Sequence, residues 1–166
     1  MADLKKLTVD ELTVGNAVGP HMTLSPAGWW LWKDSVTAYA SLVTTNGHAH
    51  LALYDANGQE RVSLFIEGDG TPHLYLQDGN GDARLICRLA DDGHAHVEIL
   101  DGARNGRLEL STDEDDSQPV ITLKDSNGDP LMQITLDWEG RPSLQVKGTE
   151  DTWKPWLTAG GKVQKE

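Results

Sequence analysis

Cysteine is almost missing from this 166-residue chain: Cys87 stands alone, which excludes an intramolecular disulfide framework and leaves the redox compartment open. Basic residues are few. The 14 Lys and Arg against 26 Asp and Glu give a net charge of −12, which counts against a nucleic-acid partner or an anionic membrane surface. Long apolar runs are missing too; none approaches the ~18 residues of a spanning helix, so no membrane insertion is expected. The opening Met1-Ala2-Asp3-Leu4-Lys5-Lys6 has no apolar stretch of the secretion-signal kind. That predicts synthesis in the cytoplasm, or residence in a phage-type particle assembled there. Aromatics make up 6% and apolar residues 38%, too patterned for disorder yet lean for a large private core. No twelve-residue window carries a helical stripe.

What the chain does have is self-similarity. Leu51-Ala52-Leu53-Tyr54-Asp55 returns as Leu74-Tyr75-Leu76-Gln77-Asp78 and Val97-Glu98-Ile99-Leu100-Asp101. It returns again as Ile121-Thr122-Leu123-Lys124-Asp125, and in part as Leu144-Gln145-Val146. The first positions are 23, 23, 24 and 23 apart, and Trp30-Leu31-Trp32-Lys33-Asp34 fits the same template 21 residues before Leu51. The extra residue falls, on this reading, in the acidic stretch Asp113-Glu114-Asp115-Asp116. A period of this length is the mark of a repeat architecture.

Each copy reads as a hairpin. In the first arm Leu51 and Leu53 alternate with His50, Ala52 and Tyr54, the period of two of a half-buried strand. Turn signals follow: Asp55-Ala56-Asn57-Gly58, Asp78-Gly79-Asn80-Gly81 and Asp125-Ser126-Asn127-Gly128. The second arm starts near Arg61, Arg84 and Arg107 and sets Val62, Leu64 and Ile66 on one face, then turns back at Gly47, Gly70, Gly93 or Gly140. Leu7-Thr8-Val9 and Leu12-Thr13-Val14 also suit strands. The fold class is therefore all-β: tandem hairpin repeats in a meander, a roll or barrel, or a β-solenoid. Each copy carries about five large apolar side chains on one face, and ten to twelve strands cannot leave such a face bare. Closure within one chain and association between chains both answer this. The lean composition favours an intertwined homo-oligomer, a trimer or higher.

Three regions follow from the pattern: residues 1–28 as an N-terminal cap of short strands, 29–147 as the repeat domain, and 148–166 as a C-terminal cap and tail. Tryptophan crowds the first copy, at Trp29, Trp30 and Trp32, and follows the last, at Trp153 and Trp156. These positions suit the closing of a repeat stack, and they are also the candidate interaction surface, for a glycan or a protein.

His50, His73 and His96 keep the 23-residue register, and His48 and His94 complete two His-x-His pairs. Residues two apart on a strand share a face, and imidazole suits Zn, Ni or Fe, so these five are the candidate metal ligands. Asp78, Asn80 and Asp82, like Asp125, Asn127 and Asp129, alternate as the opening ligands of a calcium loop do, but its twelfth-position Glu is replaced by Leu89 and Leu136. Hairpin chemistry accounts for them better. Cys87 occupies the apolar position that Leu64 holds one copy earlier, and reads as a small hydrophobe. No nucleophile motif or phosphate-cradling loop is present, so no catalytic residue and no cofactor is predicted.

The unit Leu-x-Leu-x-Asp-x-x-Gly-x-x-Arg-x-x-Leu, complete over Leu51–Leu64, resembles hairpin repeats of about 23 residues in uncharacterised bacterial proteins, and the resemblance covers roughly residues 47–146. It implies a β-repeat fold and no activity. The His-x-His pairs at His48, His50, His94 and His96 are similar to those with which trimeric phage tail-spike tips hold iron on a three-fold axis. The 23-residue length is shared with MORN repeats, whose Tyr/Gly pattern is missing here. The function expected is a non-enzymatic structural or assembly role, as a self-associating fibre, spike or scaffold subunit. The alternative is a binding module for a transition metal through the histidine edge or for glycan through the Trp-rich ends. An enzyme stands third.

Overall fold

The computed structural model describes residues 10–90, 92–112, 118–136, 139–148 and 152–158. Fourteen strands form one antiparallel sheet in which spatial order equals chain order. The first seven are β1 (Leu12–Gly15), β2 (His21–Ser25), β3 (Gly28–Trp32), β4 (Ala38–Thr45), β5 (His48–Tyr54), β6 (Glu60–Ile66) and β7 (Pro72–Gln77). Then come β8 (Ala83–Leu89), β9 (Ala95–Leu100), β10 (Gly106–Thr112), β11 (Pro119–Lys124), β12 (Pro130–Leu136), β13 (Pro142–Lys147) and β14 (Trp153–Thr158). The sheet is an open meander. It neither closes into a barrel nor winds as a solenoid, since β1 and β14 pair with one neighbour each and every other strand with its two sequence neighbours. Leu12-Thr13-Val14 lies in β1, while Leu7-Thr8-Val9 lies outside the described residues.

The turn chemistry explains the hairpins. The Asp55 amide donates to the Gln59 carbonyl (2.9 Å) and the Gly58 amide to the Asp55 carbonyl (3.0 Å). Asp55 Oδ1 accepts from the amides of Asn57 (2.8 Å) and Gln59 (3.1 Å). Asp78, Asp101 and Asp125 repeat the arrangement. The fourth turn residue adopts a positive φ: Gly58 at 77°, Gly81 at 83°, Gly128 at 88°, and Arg104 at 68° where its siblings have glycine. This is the three-residue hairpin loop with a glycine bulge. The ladder accordingly slips by one residue beside these turns, as between Leu53 and Tyr54 or Leu76 and Gln77. The first carboxylate of each calcium-like triplet, Asp78 or Asp125, is thus spent on turn amides.

Pairing across the strands fixes the 24-residue spacing and corrects one alignment. Cys87 faces Val97, ten residues on, whereas Leu110 faces Ile121, eleven residues on. The added residue therefore lies between β10 and β11, where residues 113–117 fall outside the described set. In the first copy, Trp29 and Leu31 sit opposite Leu42 and Ala40, which face Leu51 and Leu53 in turn. Trp30 and Trp32 thus lie on the opposite face from the one the repeat template gives them. The reason is the turn: Lys33, not Asp34, closes it against Thr37 (2.8 Å), while Asp34 Oδ1 takes the Thr37 amide (2.8 Å) from one residue further on. The true offset of this copy is 22.

Candidate functional site

The two faces of the sheet differ completely. On one, cross-strand pairs are apolar from β1 to β13: Val14 with Met22, Leu31 with Ala40, Leu51 with Leu64, Leu76 with Leu85, Leu110 with Ile121, Ile134 with Leu144. No charged residue holds a strand position on this face before Lys154, opposite Val146 on the edge strand β14. Cys87, between Leu74 and Val97, lies on it as a free thiol, half-buried, at the Leu64 position as the repeat requires. Twenty large hydrophobic side chains among the described residues are exposed, and all but Val18, Val36, Tyr39 and Leu131 belong to this face, at 36–52% exposure. The only hydrophobic residues fully buried among the described residues are Ala40 and Ala52. The described residues of a single chain therefore bury no large hydrophobic side chain.

The other face is polar and aromatic. One row across it runs His50, Phe65, His73, Arg88, His96, Ser111. The three register histidines thus share a row, but each is two strands from the next, about 9.6 Å at ordinary strand spacing. Phe65 stands between the first two and Arg88 between the last two. Among the described residues no three His, Cys, Asp or Glu side chains are grouped as a metal site requires. His50, His73, His94 and His96 have local carboxylate or aromatic neighbours. His73 stacks on Phe65 (5.1 Å, 13°), with Nε2 3.4 Å from Glu67 Oε2. His96 Nδ1 is 3.1 Å from Glu109 Oε1, and His94 Nδ1 is 3.3 Å from Asp92 Oδ2. His50 Nε2 is buried without a hydrogen-bond partner, its nearest charge being Glu60 Oε2 at 3.6 Å. His48 lines a hollow with His50.

Two hollows open on this face. One, about 410 Å³, spreads over β5–β7 and is lined by His50, Glu60, Ser63, Phe65, Glu67 and Tyr75 among others. Burial pushes the Tyr75 phenol up, and the Glu67 charge adds to the effect. The second, about 710 Å³, opens over a charge cluster in which Lys124 Nζ donates to Glu109 (2.7 Å) and Glu98 (3.2 Å). Burial disfavours the Lys124 charge, but the two carboxylates outweigh it and raise its pKa; the reciprocal effect of Lys124 and His96 lowers that of Glu109 against its own burial.

At the Asp-turn end, consecutive repeats are tied together. Arg61 pairs with Asp55 (3.5 Å) and donates from Nε to the Gln77 carbonyl (2.9 Å); Arg84 pairs with Asp78 and reaches the Asp101 carbonyl. The turn aspartates titrate below the ordinary carboxylate value, held by the turn amides first and by arginine second at Asp78. Trp30 and Trp32 stack (6.4 Å), as do Trp32 and His21 (5.8 Å), and Trp32 Nε1 donates to Thr23 Oγ1 (3.1 Å). Trp29 instead joins the apolar face, so the N-terminal tryptophans do not form one surface. Trp153 is half-buried at the start of β14; the Trp156 side chain lies outside the described residues. His21 was not legible as a partner, because only the register of β2 on β3 brings it beside Trp32. A scan of protein-family models and a search of curated proteins return no match to this chain.

Proposed function

We propose that the protein is a non-enzymatic structural subunit that assembles with further copies of itself through the apolar face, as a fibre, spike or scaffold component. The observation that carries this is the pairing of a face without a charged strand residue from β1 to β13 with a chain whose only buried hydrophobic residues, among those described, are two alanines. Fourteen strands at about 4.8 Å spacing, each about 20 Å long, give a face of roughly 1,200 Å². A typical monomer exposes an apolar patch of at most ~600 Å², and a stable interface buries about 800 Å² per partner. One face of this sheet exceeds both. Charge placement favours like copies: face-to-face association leaves the carboxylates of a −12 chain on the outside. Lipid suits the face less well, because strands of four to eight residues fall short of the 9–11 that a membrane-spanning strand needs.

Sedimentation of the full chain over a range of concentrations tests the reading. The expected mass is that of several chains. Leu64→Glu combined with Ile99→Glu, which places two carboxylates on the face, is expected to shift the mass toward one chain. A wild-type chain that sediments as a monomer with an intact β spectrum rejects it, as does a face that becomes soluble only with detergent or lipid vesicles.

A further inference from the structure

We propose that the 410 Å³ hollow on the polar face binds a primary alkylammonium ion, its ammonium group received by Glu60 and His50 and its carbon chain by Phe65 and Tyr75. The hollow lies on the face that self-association leaves outward, so the inference stands apart from the assembly reading. Its volume is within the 300–1,000 Å³ usual for small-molecule sites. Its lining holds two carboxylates, Glu60 and Glu67, and no lysine or arginine, which sets the sign of the ligand.

The walls and floor set its shape. Phe65 and Tyr75 meet at 5.2 Å with their planes perpendicular, and a corner of two such rings is suited to an alkylammonium group. Ser63, a small side chain of the lining, is nearly inaccessible and sits against Gln77. Gln77 Nε2 donates to Glu60 Oε1 (3.0 Å) and lies 3.3 Å from Ser63 Oγ, which fixes that carboxylate. Glu60 Oε2 makes no hydrogen bond to Gln77, and the nearby His50 Nε2 has no hydrogen-bond partner at all. An ammonium group carries three N–H donors and would supply what both atoms lack. A buried polar nitrogen left without a partner is costly, and a ligand that satisfies it is favoured for that reason. The negative field of the chain as a whole also concentrates cations at its surface.

A charge series on one carbon skeleton tests this on the full chain: n-butylammonium, n-butanol and butyrate. Phe65 is the only phenylalanine, so para-fluorophenylalanine labelling gives a single ¹⁹F resonance inside the hollow. Butylammonium is expected to shift that resonance saturably, butanol to bind at least about tenfold more weakly, and butyrate to leave it unmoved. Glu60→Gln is isosteric and keeps an acceptor for Gln77; it is expected to weaken butylammonium about tenfold with the ¹⁹F shift of the free protein little changed. Should that variant misfold, the loss of wild-type affinity with rising salt carries the same information. Equal binding of butanol, any preference for butyrate, or no response to butylammonium at millimolar concentration overturns the proposal. So does equal binding of tetramethylammonium, which has no N–H to give.

Discussion

Asp55, Asp78, Asp101 and Asp125 each work as part of the backbone more than as surface charges. One carboxylate oxygen accepts two turn amides, and these bonds hold the folded pKa below the ordinary value of 3.8. For a lowered pKa the stabilisation is complete above the unfolded value and is lost as pH falls through the folded one. The thermal midpoint is therefore expected to be level from about pH 6 to about pH 5 and to drop between about pH 4 and about pH 2. Asp78→Asn keeps an acceptor oxygen for the Asn80 amide but loses the charge facing Arg84, so its acid drop should be shallower. A midpoint unchanged down to pH 2 contradicts the assignment. At this scale the sequence was informative because Asp-x-Asn-Gly encodes local bonds. The partners of His21 and His50 were not, since they are set by neighbouring strands.

At the scale of the element, the hairpin is specified twice, by alternation along the arms and by the positive-φ residue that ends the turn. Gly128 isolates the second contribution: its φ is 88°, and an added Cβ would meet nothing within 4 Å. Gly128→Ala is therefore expected to cost about 1 kcal/mol from backbone strain alone, read as a lower thermal midpoint. No loss, or a gain, would show that this turn is not held in the left-handed region. Arg104 at the matching position of another hairpin shows that a side chain is tolerated there at φ 68°. The arms, the turns and the face that each residue takes were legible over most of the repeats, because a period of two survives any bulge that is repeated. The first copy was misplaced. Its turn puts the aspartate one residue later, and a one-residue slip exchanges every side chain between the faces. That moved Trp30 and Trp32 from the apolar to the polar face, where Trp32 stacks on His21 and on Trp30.

For the whole molecule, the sequence foretold a large apolar surface needing cover, and among the described residues the sheet leaves it exposed. Closure was the part that alternation could not decide: a barrel, a solenoid and an open meander all present alternating arms and turns, and differ in whether the first strand meets the last or successive coils stack. With β1 and β14 at opposite edges, the apolar side chains keep more than a third of their surface at sixteen positions. Hydrophobic burial drives both folding and association in proportion to area, and on the proposed assembly most of it is gained only when chains meet. Stability should then depend on protein concentration, as it does for obligate oligomers.

Cys87 gives the most direct view of that face. It lies on β8 near the middle of the sheet, flanked across the strands by Leu74 and Val97, and it is the sole thiol. The rate of its reaction with a neutral thiol reagent, measured from dilute to concentrated protein under native conditions, reports whether the apolar face is covered. The account predicts slow reaction at high concentration, accelerating on dilution, and fast reaction in the Leu64→Glu, Ile99→Glu variant. Fast reaction at every concentration in the folded wild-type protein would contradict it.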